Sequence, residues 1–245
     1  MSEMGDDSDV IGQEKPFVSR LMLWIRRVVS WVKSINPEPF YRFCAGRVIR
    51  LLYRIEYKDF DKIPESGPAL LIGNHVSYVD GLIIQAGCKR QIRFVIDKFI
   101  YEAPVVNYFM RHNRAIPIAP TKKDVGDALD MISEAIEQGD LVFIFPEGQL
   151  TFSGHLGHFK PGIEWILSRD PVAVYPVVLK GLWGSIFSRK YRKSRFRAFF
   201  RKLIDVRHWH CSISATCLDP VLPQEATAYS LQRTVLKTLY QKQIL

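Results

Sequence analysis

Cysteine is scarce in this chain and shows no framework: Cys44, Cys88, Cys211 and Cys217 are the whole complement, with no Cys-x-x-Cys among them. That pattern excludes a disulfide scaffold and a zinc ribbon, and it fits reduced thiols on the cytosolic side. Residues Met1 to Glu14 are polar and acidic, without the basic start and apolar stretch of a secretory signal, so residues 1–15 are expected to form a disordered tail. No Gly-x-Ser-x-Gly elbow occurs, which disfavours an esterase with its own serine nucleophile. No internal repeat and no second domain are visible in the 245 residues. Acidic residues are outnumbered 25 to 34 by Lys and Arg, a formal charge of +9, and 47% of the residues are hydrophobic. A folded basic protein follows, with an anionic partner such as a membrane surface, nucleic acid or an acidic substrate.

From Phe17 to Ile35, Phe17, Leu21, Trp24, Ile25, Val28 and Val32 share one helical face, while Arg20, Arg26, Arg27 and Lys33 crowd the other. The longest uncharged stretch there, Leu21 to Ile25, is far short of the roughly 20 apolar residues of a bilayer span. An amphipathic helix lying in a lipid interface suits this composition, and an ordinary core-packing helix with a solvated basic face is the plainer alternative. After Asn36-Pro37-Glu38-Pro39 a second basic helical pattern runs to Tyr53. Residues 16–55 therefore read as a membrane-surface helical hairpin, and residues 56–245 as the main domain.

The rest alternates strands and helices. Strand candidates lie at Ile55–Phe60, Pro68–Gly73, Ile92–Ile96, Ala115–Ile118, Leu141–Phe145, Val172–Leu179 (interrupted by Pro176) and Trp209–Thr216. Helices are expected from near Asp80, over Lys98 to His112, over Asp124 to Gln138, through Leu167 and over Thr227 to Gln243. The helix at Asp124 has a start signal in Thr121-x-x-Asp124 and a stop at Gly139. Such alternation predicts an α/β fold, a mainly parallel sheet flanked by helices, with ligands at the carboxyl ends of the strands.

Two motifs fall at such ends. Asn74-His75-Val76-Ser77-Tyr78-Val79-Asp80 follows one apolar run, and Phe145-Pro146-Glu147-Gly148 ends another. Side chains five residues apart point about 140° apart on a regular helix, so His75 and Asp80 meet only if His75 lies in the turn before the helix. If they meet, the carboxylate fixes the imidazole tautomer and the other ring nitrogen can accept a proton from a hydroxyl. The plainer readings are a helix-capping turn and a tight loop around a capping glutamate.

With both motifs in this order, the stretch from about Pro64 to about Pro220 resembles the glycerolipid acyltransferases, which include the lysophosphatidic acid and lysophospholipid acyltransferases. Within that family it is similar to the acyltransferase domains fused to bacterial lysophospholipid transporters. The resemblance implies transfer of a fatty acyl group from acyl-CoA or acyl carrier protein to a lysophospholipid hydroxyl, in phospholipid synthesis or remodelling. His75 would be the general base and Asp80 its orienting partner, with no metal and no covalent acyl-enzyme. Glu147 and Gly148 are implied for acceptor binding, the carboxylate ordering the loop or a glycerol hydroxyl. Gln149-Leu150-Thr151 and Pro120 stand where many members carry arginine in these blocks. Asn74 and the cations Lys98, Arg114 and Lys160 complete the expected substrate-binding set, with Lys122 and Lys123 as further substitutes for the missing guanidiniums.

The histidines at 155, 158, 208 and 210 lack ligand spacing with carboxylates, so no metal is expected. The basic, aromatic run from Arg189 to Lys202 suits anionic lipid or the phosphates of coenzyme A; no nucleic-acid fold accompanies it. The expected location is peripheral or monotopic on the cytoplasmic face of a membrane. The other class of reading is a non-catalytic basic lipid-surface or nucleic-acid binding module on the same fold.

Overall fold

A computed structural model describes residues 46–185, 187–188 and 211–241. The tail, the hairpin up to residue 45 and the Arg189–Lys202 cluster lie outside the described residues. Residues 46–52 are helical. Seven strands follow: β1 (Arg54–Lys58), β2 (Ala69–Gly73), β3 (Ile92–Asp97), β4 (Ile116–Ile118), β5 (Leu141–Ile144), β6 (Val174–Lys180) and β7 (Ser212–Cys217). They form one sheet in the spatial order β1-β7-β6-β2-β5-β3-β4. β6, β2, β5, β3 and β4 are parallel, β7 is antiparallel to β6, and β1 runs parallel to β7. The mainly parallel α/β sheet read from the sequence is the one observed.

The crossovers are helices α1 (Asp80–Gly87), α2 (Lys98–Glu102), α3 (Pro104–His112), α4 (Lys122–Glu137) and α5 (Gly162–Arg169), and α6 (Ala228–Tyr240) closes the described chain. α4 begins where Thr121 accepts a hydrogen bond from the Asp124 N–H, and it buries Ala128, Ile132, Ala135 and Ile136. The expected single helix from Lys98 to His112 is two helices. Ala103 takes ψ 130° because Cδ of the following proline crowds the helical conformation of the preceding residue.

Strand burial explains the runs of apolar residues. All five β2 residues are buried, since helices cover both faces. Leu71, Phe143, Val177 and Leu179 enter one core cluster, whereas Leu70, Ile72, Val142, Val174 and Val178 enter the other. Pro176 does not interrupt β6. Its carbonyl accepts from the Leu218 N–H, just beyond the Val177–Cys217 pair, so the missing proline N–H leaves only that terminal rung with β7 single.

The last turn of α1 lies flat against β1 and the 3-10 turn after it. A β-carbon on Gly87 would sit 2.4 Å from Tyr57 ring atoms and 2.8 Å from Phe60, and the Tyr57 hydroxyl donates to the Ile83 carbonyl at 2.9 Å. Gly87→Ala is therefore expected to destabilise the fold by about 1–3 kcal/mol through overpacking. Urea unfolding monitored by circular dichroism reads this as a lowered midpoint, and an unchanged midpoint would contradict the packing.

Candidate active site

β2 and β5 are neighbours, with Ile72 opposite Ile144, so the motifs that follow them emerge side by side at one edge of the sheet. Gly73 ends β2 where a β-carbon would meet the Phe143 ring at 3.0 Å and the Val177 carbonyl at 3.1 Å. Asn74 then anchors the chain: its Nδ2 donates to the Leu179 carbonyl at 2.9 Å and its Oδ1 accepts from the Leu179 N–H at 2.8 Å. With only 2% exposure and a bond at each polar end, Asn74 joins β2 to β6, a structural tie that its assignment from sequence to the substrate did not include.

His75 lies in the turn ahead of α1 and Asp80 is the first helical residue, as the spacing argument requires. His75 Nδ1 is 2.9 Å from Asp80 Oδ2. The same oxygen accepts from the Val76 and Ser77 N–H groups at 2.6 and 2.8 Å, so the carboxylate also shapes the turn. Asp80 is fully buried, whereas the His75 side chain is 22% exposed. Burial pushes Asp80 above the usual carboxylate range, opposed by the hydrogen bond and charge of His75 and by the two backbone donors. With Asp80 ionised, Nδ1 carries the proton and Nε2 is left as an acceptor.

The second motif holds His75 from the other side. Phe145 stacks on the imidazole at a centroid distance of 3.8 Å and an interplanar angle of 10°. Glu147, 4% exposed, accepts the His75 N–H at Oε1 and the Gly157 N–H at Oε2, each at 2.7 Å. Burial raises its carboxyl above the ordinary range, while the two backbone N–H groups pull it down. Of the two roles implied for Glu147, ordering the loop is the one its bonds perform. Thr151, unremarked in the sequence except as a departure from the family pattern, donates its N–H to the His75 carbonyl at 2.9 Å, and its hydroxyl ties Gly154 and His155. No sequence signal marks it beyond a polar residue in a glycine-rich loop.

The expected cations separate. Lys160 lies over Gly148, which has φ +64°, so that a β-carbon there would be 2.7 Å from Nζ. Lys98 starts α2 at the same edge of the sheet but is paired with Asp124 at 2.6 Å. Arg114 is in the wrong place. It precedes β4 and binds Asp140, at 2.7 Å, and Gln138, both just ahead of β5 and hence at the amino ends of the strands. Its charge braces that end together with Arg93, away from the strand ends that carry His75 and Glu147. A hollow of about 670 Å³ opens over the β1–β7–β6 edge, lined by Arg54, Glu56 and Lys180 among others, and takes in no residue of the His75 cluster. Among the described residues no three His, Cys, Asp or Glu side chains converge as metal ligands.

A mainly parallel α/β sheet thus delivers a histidine on a buried aspartate, the ring's one hydrogen bond among the described residues, an arrangement with the chemistry to accept a proton from a hydroxyl and with no bonded nucleophile of its own. Comparison with known proteins narrows this. The family model described as Acyltransferase matches residues 54–180, more than half of the chain, and the protein belongs to that family. The chain is similar to the chloroplastic 1-acyl-sn-glycerol-3-phosphate acyltransferase of Arabidopsis thaliana, 28% identical over 131 residues that make up 53% of this chain and 36% of that one. It is also similar to a probable 1-acyl-sn-glycerol-3-phosphate acyltransferase of Mycoplasma genitalium, 24% identical over 59% of each chain. The crystal structure of the 1-acyl-sn-glycerophosphate (LPA) acyltransferase PlsC of Thermotoga maritima superposes with a TM-score of 0.62 at 16% identity, covering 91% of this chain and 89% of that one. That likeness is one of fold. The match spans roughly a third to three fifths of the length of these curated relatives.

Glutamine at 147 offers one acceptor oxygen where glutamate offers two, leaving the His75 or the Gly157 N–H unpaired. Glu147→Gln is expected to cost about 1–3 kcal/mol of stability. Denaturant titration checks this, and stability equal to the parent would contradict the brace.

Proposed function

We propose that this protein is an O-acyltransferase that moves a fatty acyl group from a thioester donor to the free hydroxyl of a lysophospholipid. The observation that carries the proposal is the contact of His75 Nδ1 with the buried Asp80 Oδ2, which leaves Nε2 of a partly exposed ring to face a bound alcohol. The acceptor oxygen attacks the thioester carbonyl as Nε2 takes its proton. The tetrahedral intermediate then collapses, the carbon–sulfur bond breaks, and the departing thiolate receives the proton from His75. Asp80 keeps the tautomer and balances the imidazolium. Substrate and donor are held together, and no acyl-enzyme forms.

The names of the relatives favour lysophosphatidic acid as acceptor. Among the described residues, Lys160 lies beside Gly148 where a phosphate could be met, while Lys98 is partly neutralised by Asp124. A lysine, as a point charge without arginine's bidentate fork, suits a substituted, singly charged phosphate as well as a phosphomonoester, so headgroup-bearing lysophospholipids belong to the proposed acceptor class. Acyl-CoA and acyl carrier protein are the proposed donors.

A lipid-surface location agrees with the rim of the sheet. Tyr78 and Leu82 around the start of α1, Phe99 and Ile100 on α2, and Tyr108 and Phe109 on α3 are all exposed, Phe99 to 86%. Among the described residues no helix is long and apolar enough to cross a membrane. Peripheral attachment to the cytoplasmic leaflet is the proposed arrangement.

The test is product formation from labelled acyl-CoA, and then acyl carrier protein, offered with a panel of lysophospholipids. His75→Ala is expected to lower turnover by about 100-fold or more in a protein that still folds, and Asp80→Asn to lower it severely. Absence of product from the parent protein with either donor would overturn the enzyme reading in favour of a binding module.

A further inference from the structure

Among the described residues, three buried side-chain oxygens lack a hydrogen-bond partner: the Tyr53 phenol, Asp80 Oδ1 and the Ser185 hydroxyl. Ser185 and Asp80 are both among the groups whose charge or hydrogen bonding reaches the Tyr53 phenol. Tyr53, 2% exposed, stands between the helical residues 46–52 and β1, in the core cluster that holds Val76, Val79, Ile83 and Leu182. Ser185 is fully buried in the turn after β6, where its N–H bonds Leu182 and its carbonyl accepts from Ser188. This turn is fastened to the His75 loop, because the Tyr78 N–H donates to the Phe187 carbonyl at 3.2 Å and Ser77 forms a β-bridge with Ser188. The electrostatics agree with this placement. Burial raises the Tyr53 phenol above its ordinary value, the Ser185 hydroxyl beside it lowers it, and nearby Cys211 and Asp80 push it up again.

The donor and acceptor count then fits one arrangement. Oδ2 of Asp80 takes three donors and Oδ1 takes none, a costly state for half of a buried carboxylate. A neutral phenol has one proton to donate, and a serine hydroxyl both accepts and donates. A sequence from phenol to serine to carboxylate would give each of the three orphaned oxygens a partner. We propose that Tyr53 and Ser185 are positioning residues for the dyad: the phenol donates to the Ser185 hydroxyl, which donates to Asp80 Oδ1, so that His75–Asp80 is the outer half of a buried four-residue chain.

The inference deepens the reading of the same site, yet its consequence does not require turnover. Donation to Oδ1 draws carboxylate charge away from Oδ2 and hence from the imidazole. Without it, the His75–Asp80 pair holds its next proton more tightly and takes it up at higher pH. The groups facing Asp80 are His75 from its own turn, Glu147 from the loop after β5 and Tyr53 from ahead of β1, with Cys211 beside Tyr53.

The experiment is an NMR titration of the full chain with labelled histidine, without donor or acceptor, in which the His75 signal is assigned by its loss in His75→Gln. Tyr53→Phe and Ser185→Ala are each expected to raise the His75 titration midpoint by about one pH unit. The double variant should shift it no further than the larger single change, since both interrupt one chain. An unchanged midpoint in a folded Tyr53→Phe or Ser185→Ala protein overturns the proposal, even if its unfolding midpoint falls, because a merely structural role moves stability and not the titration. If Tyr53→Phe does not fold, Ser185→Ala decides alone. A protein that transfers no acyl group can still show the shift, so the two readings fail separately.

Discussion

The immobilisation of one imidazole is the constraint on which the site depends. Asp80 holds the His75 ring at Nδ1, Phe145 covers its face, Glu147 takes its backbone N–H and Thr151 satisfies its carbonyl. Two of these ties involve carboxylates whose affinity for a proton burial raises, and in each case backbone N–H groups oppose that shift. The arrangement exchanges desolvation cost for geometry. A general base needs to be held within a fraction of an ångström of a hydroxyl that arrives with the substrate, and a histidine bound at ring and backbone together meets that need.

The sheet makes the arrangement possible. Adjacent parallel strands β2 and β5 end in register, so residues 72 apart in sequence meet as hydrogen-bond partners. The two ends of the sheet divide the charges. At the amino ends Arg93 and Arg114 converge on Asp140, and Arg90 donates to the carbonyls of Pro64, Gly67 and Gly139. At the carboxyl ends Lys160 stays beside the loop that faces the proposed acceptor. A positive net charge therefore does not translate into a single binding surface, because part of it closes the far side of the fold.

Much of the fold was legible because its signals are local. Apolar runs such as Leu141–Ile144 have to be buried on both faces, Thr121 caps the next helix, and the His75–Asp80 spacing set a geometric demand that can be met in one way only. What was not legible depends on partners distant in sequence. Asn74 looks like a motif residue available for substrate, yet its partner is Leu179, 105 residues on. Glu147 looks like a ligand and is a brace, and Arg114 is a suitable cation at the wrong end of a strand. Pro104 broke a helix that its neighbours favoured, a local rule outweighed in the reading by periodicity. Phe145 was part of a motif, but nothing in its neighbours announces that its ring stacks on His75. Residue type and spacing restrict the chemistry, whereas tertiary contacts decide which polar groups are already spent.

The tautomer of His75 tests the central claim most directly. Nitrogen-15 chemical shifts of the labelled imidazole at a pH where the ring is neutral distinguish a protonated Nδ1 from a protonated Nε2. The account predicts the proton on Nδ1, directed at Asp80, with Nε2 free to accept. A proton on Nε2, the nitrogen that has to receive the acceptor's proton, would contradict it.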